Sequence, residues 1–342
     1  MAGLNVSFGY FFGVVAFCEV IRRTSKKLLP FWFYSNVLVE LLACLQQAAC
    51  WFELRMLVII GPWGGGFGMD VVMTLLFLLT SVHEATCDRA EANPLVTAQG
   101  FLRSNSLAVA SIVKILAQFA GMELASTGVK RYWSWELTDF HLIQNMMARD
   151  CSSALETSVG QGACVEAACA FLFHLVLMKF EGAALGYRIL SKALTITALV
   201  HVGRSPLNSA GSATYFYNFY FFFRITCFQL SCHDHGDVRT GYMAGPYTTG
   251  LFNPALAFST TFHCSGNTLS EYMVVYWLSP FIATILAIFL FSGNIPRLFC
   301  KNLLYTQRTK YRIPKGNSAQ DQDENKSVSN QKKETLGRGA QR

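Results

Sequence analysis

Two Asn-Pro pairs constrain this chain more than any other feature, because each stands between long apolar stretches. They are Asn93-Pro94-Leu95 and Asn253-Pro254-Ala255. Proline at the first position of a helix wastes no hydrogen bond, and the asparagine before it can cap the helix while its amide donors face outward. The pattern predicts short helices over 94–103 and 254–263. In a membrane, two such half-helices would turn their positive ends toward one midpoint and make a pore that favours neutral solutes and repels protons and cations.

The stretches around these pairs are those of a multi-pass membrane protein. Of the 342 residues, 52% are apolar and only 14% are charged, whereas a soluble domain carries about 25% charged residues. Apolar runs of about 17 to 25 residues are long enough to cross a bilayer. Seven apolar segments are predicted to span it, at 4–21, 34–60, 69–87, 107–129, 163–179, 186–200 (resuming near 241) and 272–292.

The net charge of +7 does not indicate a nucleic-acid partner. The segment 297–342 carries eleven Lys and Arg against four Asp and Glu, which accounts for the whole excess. The basic excess therefore belongs to a polar tail, 295–342, which is expected to be disordered because it has too little apolar surface to bury.

Basic residues also set the expected orientation. Arg22, Arg23, Lys26 and Lys27 follow the first apolar run instead of preceding it, which argues against a cleaved signal peptide and holds that end of the span in the cytoplasm. Met1 is then outside, and threading the other spans leaves the carboxyl-terminal tail in the cytoplasm.

An internal repeat divides the apolar part of the chain. Val39-Glu40-Leu41-Leu42-Ala43-Cys44 resembles Val165-Glu166-Ala167-Ala168-Cys169-Ala170, and each leads to an Asn-Pro pair two spans later. Repeats with broken helices at the bilayer midplane are typical of pores and transporters. The second half is longer because 201–240 intervenes, and this insert is either a lumenal excursion or sequence from an unremoved intron.

Other chemistry has little support. Five of the eleven cysteines fall in apolar runs and are expected to behave as small hydrophobes: Cys18, Cys44, Cys50, Cys164 and Cys169. No CxxC pair indicates a metal site. The cluster Cys232-His233-Asp234-His235 lies in the insert, and we do not assign a metal or another cofactor to it. No set of residues has the spacing of a catalytic site, so an enzyme is not expected.

These motifs together resemble the aquaporin (MIP) family. The likeness rests on the two Asn-Pro tripeptides, on Gln118 with Gly121, and on Tyr276-Trp277-Leu278-Ser279-Pro280. The degenerate first tripeptide and the extra amino-terminal span are similar to the superaquaporin subfamily. Met1–Ser7, Trp135–Asp139 and Gly162–Phe171 are similar to one particular superaquaporin.

The resemblance implies an all-α membrane protein, with six transmembrane helices and two re-entrant half-helices in an inverted repeat, plus an extra amino-terminal span. The segments would be 1–30 for that span and its basic linker, 31–129 for the first repeat, 130–162 for a connecting loop, 163–200 with 241–294 for the second repeat, 201–240 for the insert and 295–342 for the tail. It also implies a homotetramer in an intracellular membrane, of the endoplasmic reticulum or of vesicles.

The resemblance also implies roles for single residues. Asn93 and Asn253 would donate to a passing solute, and Pro94 and Pro254 would start the half-helices. An ionisable residue inside a span is costly, and Glu40 and Glu166 are expected to brace the re-entrant loops; a proton relay is the alternative.

Three positions depart from the usual family pattern or have an open role. Leu95 replaces the usual alanine of the first tripeptide, and Leu256 stands where most members have the arginine of the selectivity filter. Cys264 matches a superaquaporin cysteine and would serve packing or assembly. The leading hypothesis is a passive channel for water and small neutral solutes such as glycerol or hydrogen peroxide; the alternative is a non-conducting membrane protein with a structural or partner-binding role.

Overall fold

The computed structural model describes residues 2–60, 67, 69–88, 90–147, 158–204, 250–262, 268–293 and 295. Nearly all of the insert, the whole tail beyond residue 295, and Cys264 lie outside these residues. Within them every regular element is a helix and no strand occurs. The expectation of an all-helical membrane protein is therefore met by the part of the chain that the structure describes.

The helices agree closely with the apolar runs and the two predicted half-helices. Their bounds are α1 Ala2–Leu28, α2 Phe31–Ile60, α3 Met69–Thr86, α4 Pro94–Leu102, α5 Ala108–Trp133, α6 Asp139–Met147, α7 Val159–Phe180, α8 Leu185–Arg204, α9 Pro254–Ala257 and α10 Leu269–Ser292. A π-helical segment, Phe258–Phe262, continues α9.

Five of the described helices are long and apolar enough to cross a membrane. They are α1 (over Gly3–Leu28), α2, α5, α7 and α10. The predicted spans 69–87 and 186–200 form α3 and α8, which pack against each other.

The packing repeats between two halves of the described chain. In the first half α2 packs against α5 and α3, and in the second α7 packs against α10 and α8. The half-helix α4 contacts α10 of the other half, and α9 contacts α5 in the same way. Each half-helix is thus held between the two halves.

One glycine sets how closely α2 and α5 approach. A Cβ atom on Gly121 would lie 2.4 Å from the Leu41 carbonyl oxygen, a distance that no side chain tolerates. The backbones of the two helices are therefore in direct contact, and the small residue is a packing requirement.

The amino-terminal helix α1 packs on α2 and α3 through a polar bond near each end. Ser7 Oγ donates to Glu53 at 2.6 Å, and Arg22 Nη2 donates to Gln46 Oε1 at 2.8 Å. Phe11, between them, is buried in the core. The extra predicted span is therefore joined to the helix bundle by specific contacts.

The region 130–162, predicted as a connecting loop, contains the helix α6. Its His141 is fully buried, and His141 Nε2 lies 3.2 Å from Glu53 Oε1. Trp133 Nε1 donates to the other oxygen of Glu53 at 2.8 Å. Glu53 therefore accepts from α1 and α5 and pairs with α6, a role that no sequence motif indicated.

Candidate functional site

Each Asn-Pro pair begins a half-helix by side-chain capping. Asn93 Oδ1 accepts from the Leu95 N–H at 2.9 Å, and Pro94 occupies the first helical position of α4. Asn253 Oδ1 accepts from the N–H groups of Ala255 and Leu256 at 3.2 and 3.3 Å. Both asparagines have extended backbones, which is the usual conformation of a capping residue.

The two caps are linked to each other. Asn93 Nδ2 donates to the Phe252 carbonyl oxygen, and Asn253 Nδ2 donates to the Ala92 carbonyl oxygen, both at 2.9 Å. An amide nitrogen has two hydrogens, and the described residues offer no partner for the second one in either case. Each asparagine thus keeps a donor for something that is not part of the described protein.

The residue before each asparagine is strained. Ala92 has φ of 50° and Phe252 has φ of 29°, in the left-handed region that non-glycine residues rarely adopt. Strain of this kind persists only where the surroundings enforce it, and it clusters at functional sites.

Two buried glutamates hold these strained residues. Glu40 accepts from the N–H groups of Glu91 and Ala92, both at 3.1 Å. Glu166 accepts from those of Leu251 at 3.1 Å and Phe252 at 2.7 Å. The two carboxylates therefore act in the same way in both halves, each binding the two backbone groups just before an asparagine.

Around Glu40 a polar network ties the first loop to α5. Gln118 Nε2 donates to Glu40 Oε2 and to Thr97 Oγ1, both at 3.0 Å. Lys114 Nζ lies 3.0 Å from Glu91 and 3.7 Å from Glu40. Lys114 of α5 thus pairs with two carboxylates, one in this loop and one in α2.

Further side chains fix the half-helices against the spans. Gln99 of α4 hydrogen-bonds the buried His174 of α7. The Tyr272 hydroxyl donates to the Pro254 carbonyl at 2.8 Å and accepts from Trp277 Nε1 at 3.0 Å. Trp277 of the aromatic motif 276–280 thus supports α9 through Tyr272, a residue outside that motif.

Both asparagines line one cavity of about 960 Å³, the open space at its mouth included. Its walls are mostly apolar and come from α1, α2, α3, α7, α8 and the segments that precede α4 and α9. Leu256 lines it, whereas Leu95 does not and is fully buried. The leucine of the first tripeptide therefore fills packing space, and the leucine after the second is the one that faces the cavity.

Two carboxylates in the cavity wall form ion pairs with lysines. Glu84 and Lys192 line the cavity and lie 2.7 Å apart. Glu91, also in the wall, pairs with Lys114. No group of His, Cys, Asp and Glu side chains among the described residues could hold a metal ion, and the Cys232–His235 cluster lies outside them.

Fold and site define a multi-pass helical membrane protein with two capped half-helices at one shared cavity. No family model matches the chain. It is 43% identical to "Aquaporin-12" of Mus musculus over 316 residues, covering 92% of this chain and 95% of that protein. It is 42% identical to "Putative aquaporin-12A" of Homo sapiens (93% and 90% covered) and 25% identical to "Aquaporin-11" of Rattus norvegicus (86% and 91% covered).

The chain therefore belongs to the aquaporin family of membrane channels, within its superaquaporin subfamily. The family resemblance inferred from the motifs is confirmed. The particular superaquaporin that Met1–Ser7, Trp135–Asp139 and Gly162–Phe171 resemble is aquaporin-12, the name of the relatives at 42% and 43% identity.

Proposed function

We propose that this protein is a passive channel for water and small neutral solutes, glycerol and hydrogen peroxide among them. The observation that carries the proposal is the single cavity that both Asn93 and Asn253 line, each with an amide hydrogen that no described residue accepts. Two donors in the wall of one cavity suit the oxygen of an uncharged solute, and they offer nothing to a cation. No energy source or cofactor is part of this mechanism.

We further propose that six spans, α2, α3, α5, α7, α8 and α10, surround two re-entrant half-helices, with α1 as an additional span. The repeated packing of the two halves supports this arrangement, because each half-helix is held by a helix of the other half. The segments 31–129 and 163–200 with 241–294 would be the two repeats, joined by 130–162 and interrupted by 201–240. The tail 295–342 would be cytoplasmic.

In this mechanism Glu40 and Glu166 are braces and not proton carriers. Each carboxylate accepts from the two backbone N–H groups just before an asparagine, a bracing role that involves no proton transfer. Cys264 keeps the proposed role in packing or assembly. The assembly would be a homotetramer in an intracellular membrane, of the endoplasmic reticulum or of vesicles.

The alternative is an aquaporin-like protein that does not conduct and serves structure or partner binding. It is favoured by Leu256, an apolar side chain that lines the cavity beside Asn253. Leu95 lends it less support, because this side chain is buried and absent from the cavity wall.

Osmotic swelling of proteoliposomes distinguishes the two functions. The purified full chain should accelerate water flux over that of protein-free vesicles, and Asn253→Leu should abolish the increase. Asn145→Leu is the matched control, because Asn145 bonds only Glu136 at the surface of α6 among the described residues. Flux at the protein-free rate for water, glycerol and hydrogen peroxide alike would overturn the channel and leave the structural role.

A further inference from the structure

Arg55 is a charged residue inside α2, five positions before this span ends at Ile60. An ionisable side chain within a span is costly and commonly faces a water-filled path. Arg55 lines a second, much smaller cavity of about 250 Å³, the open space at its mouth included. This charge therefore lies in the wall of a small cavity.

The small cavity is adjacent to the one that holds the asparagines. Trp51, Leu54, Leu76 and Val200 line both cavities. Arg55, like Val58, lines only the small one and lies further along α2 toward Ile60. The two cavities are therefore neighbours, with the asparagines in the wall of one and Arg55 in the wall of the other.

The guanidinium is also attached to the second half-helix. Arg55 Nη1 lies 3.4 Å from the Thr260 carbonyl oxygen, as a long hydrogen bond, and Thr260 Oγ1 donates to the Leu256 carbonyl at 2.8 Å. Arg55 is therefore positioned about one helical turn from Leu256, which lines the central cavity. A charge from α2 thus stands beside the helix that begins at Asn253.

Trp51 stands one turn before Arg55 on the same face of α2. Its indole nitrogen is buried, and among the described residues it has no hydrogen-bond partner. An indole N–H is a donor only, so the oxygen of a solute beside it would satisfy it. Trp51 and Arg55 thus place a neutral donor and a positive charge in the wall of the same small cavity.

We propose that Arg55 is the charge that excludes cations from this channel and that Trp51 is the neutral donor beside it, so that these two residues of α2 set its selectivity. This rests on the proposed function, since selectivity presupposes conduction. A fixed positive charge in a narrow, mostly apolar passage raises the energy of K⁺ or hydronium there and leaves uncharged solutes unaffected.

The test uses the purified full chain in liposomes, with K⁺ and proton leak measured beside water flux in the same preparation. Arg55→Gln should raise the K⁺ leak by about tenfold or more, a factor that corresponds to about 1.4 kcal/mol. Arg55→Lys should keep the leak near that of the wild type. Arg23→Gln is the matched control, because the side chain of Arg23 on α1 is 77% exposed.

A double variant that moves the positive charge to another position tests the same inference independently. Adding Leu256→Arg to Arg55→Gln should lower the leak again, because position 256 lines the same path. Unchanged K⁺ leak in an Arg55→Gln protein that still conducts water would overturn the inference and leave the channel intact. Should Arg55→Gln not reconstitute, Arg55→Lys decides: exclusion at the wild-type level supports the inference, and a raised leak overturns it. A wild-type protein without water flux would overturn channel and filter together.

Discussion

Asn93 and Asn253 lie in reciprocal positions: the side-chain amide of each donates to the backbone carbonyl just before the other, at 2.9 Å in both cases. The asparagines are 160 positions apart in the sequence, and no local interaction could bring them together. Each bond crosses from one half of the protein to the other. The centre of the site is therefore a joint between the halves, and disturbing one side should be felt on the other.

The glutamate braces should contribute strongly to stability. Glu166→Gln replaces one acceptor oxygen by a donor that faces the N–H group of Leu251 or Phe252. Bonds to a charged acceptor contribute about 1.5–3 kcal/mol each, so we expect a loss of about 3 kcal/mol and a clearly lower melting temperature in detergent. Asp70→Asn, at an exposed position at the start of α3, is the control and should melt like the wild type. Equal melting of Glu166→Gln and the wild type would refute the bracing role.

The left-handed residue before the first asparagine should not tolerate a β-branched side chain. Ala92 has φ of 50°, and valine in that region is more strongly disfavoured than alanine. We expect Ala92→Val to cost about 2 kcal/mol, as strained backbone conformations do, and to reduce water flux because Asn93 shifts. Ala90→Val, two residues earlier, is the comparison. A thermal melt in which both variants behave alike would contradict the interpretation.

The buried arginine of α1 should hold the amino-terminal helix on the bundle. Arg22 is 2% exposed and donates to Gln46 and to the Thr86 carbonyl. We expect Arg22→Gln to loosen this end of α1 and to expose Cys18, which is fully buried in the intact protein. Maleimide labelling of Cys18, followed by mass spectrometry of its peptide, measures the change.

Arg23→Gln serves as the control for that experiment, because Arg23 is exposed and pairs only with Glu19 among the described residues. Cys18 of the Arg23→Gln protein should stay unlabelled. If Cys18 is equally protected in the Arg22 and Arg23 variants, Arg22 does not hold α1 in place.

Glu53 should be the attachment point of α6. His141→Ala removes the α6 partner of this carboxylate and leaves a space in the core where the imidazole was. We expect proteases to cut within Asp139–Met147 several times faster than in the wild type, since a helix without its buried anchor opens more often. Asn145→Ala, on the outer side of α6, should leave the cleavage rate unchanged. Unaltered proteolysis of His141→Ala would show that other contacts hold the helix.

The sequence predicted the features that depend on neighbours along the chain. Proline after asparagine marked the starts of α4 and α9, and the apolar runs marked the long helices. Glu40 and Glu166 were recognisable because a carboxylate in an apolar run needs a reason. Glu53 lies in a similar run, but its role was not predictable. Its partners Ser7, Trp133 and His141 are far away in the sequence. Pairings of that kind depend on the fold and leave no local pattern.

The same limit applies to the walls of the central cavity. Leu256 was identified as a departure from the family pattern at a filter position, yet the charge beside it comes from Arg55 of another helix. Leu95 also departs from the family pattern, because it replaces the usual alanine of the first tripeptide. Its side chain is fully buried and does not line the cavity. Both leucines stand in or beside a motif, and the packing determines that only Leu256 lines the cavity.

Cross-linking in the membrane tests most directly whether the two half-helices meet at one point. The double variant Asn93→Cys/Asn253→Cys, treated with a short bifunctional thiol reagent, should yield a linked peptide pair containing positions 93 and 253. Neither single variant should yield that pair, although both keep the native cysteines. Absence of the link in a folded double variant, with each introduced thiol still reacting singly, would contradict a shared midpoint and with it the proposed pore.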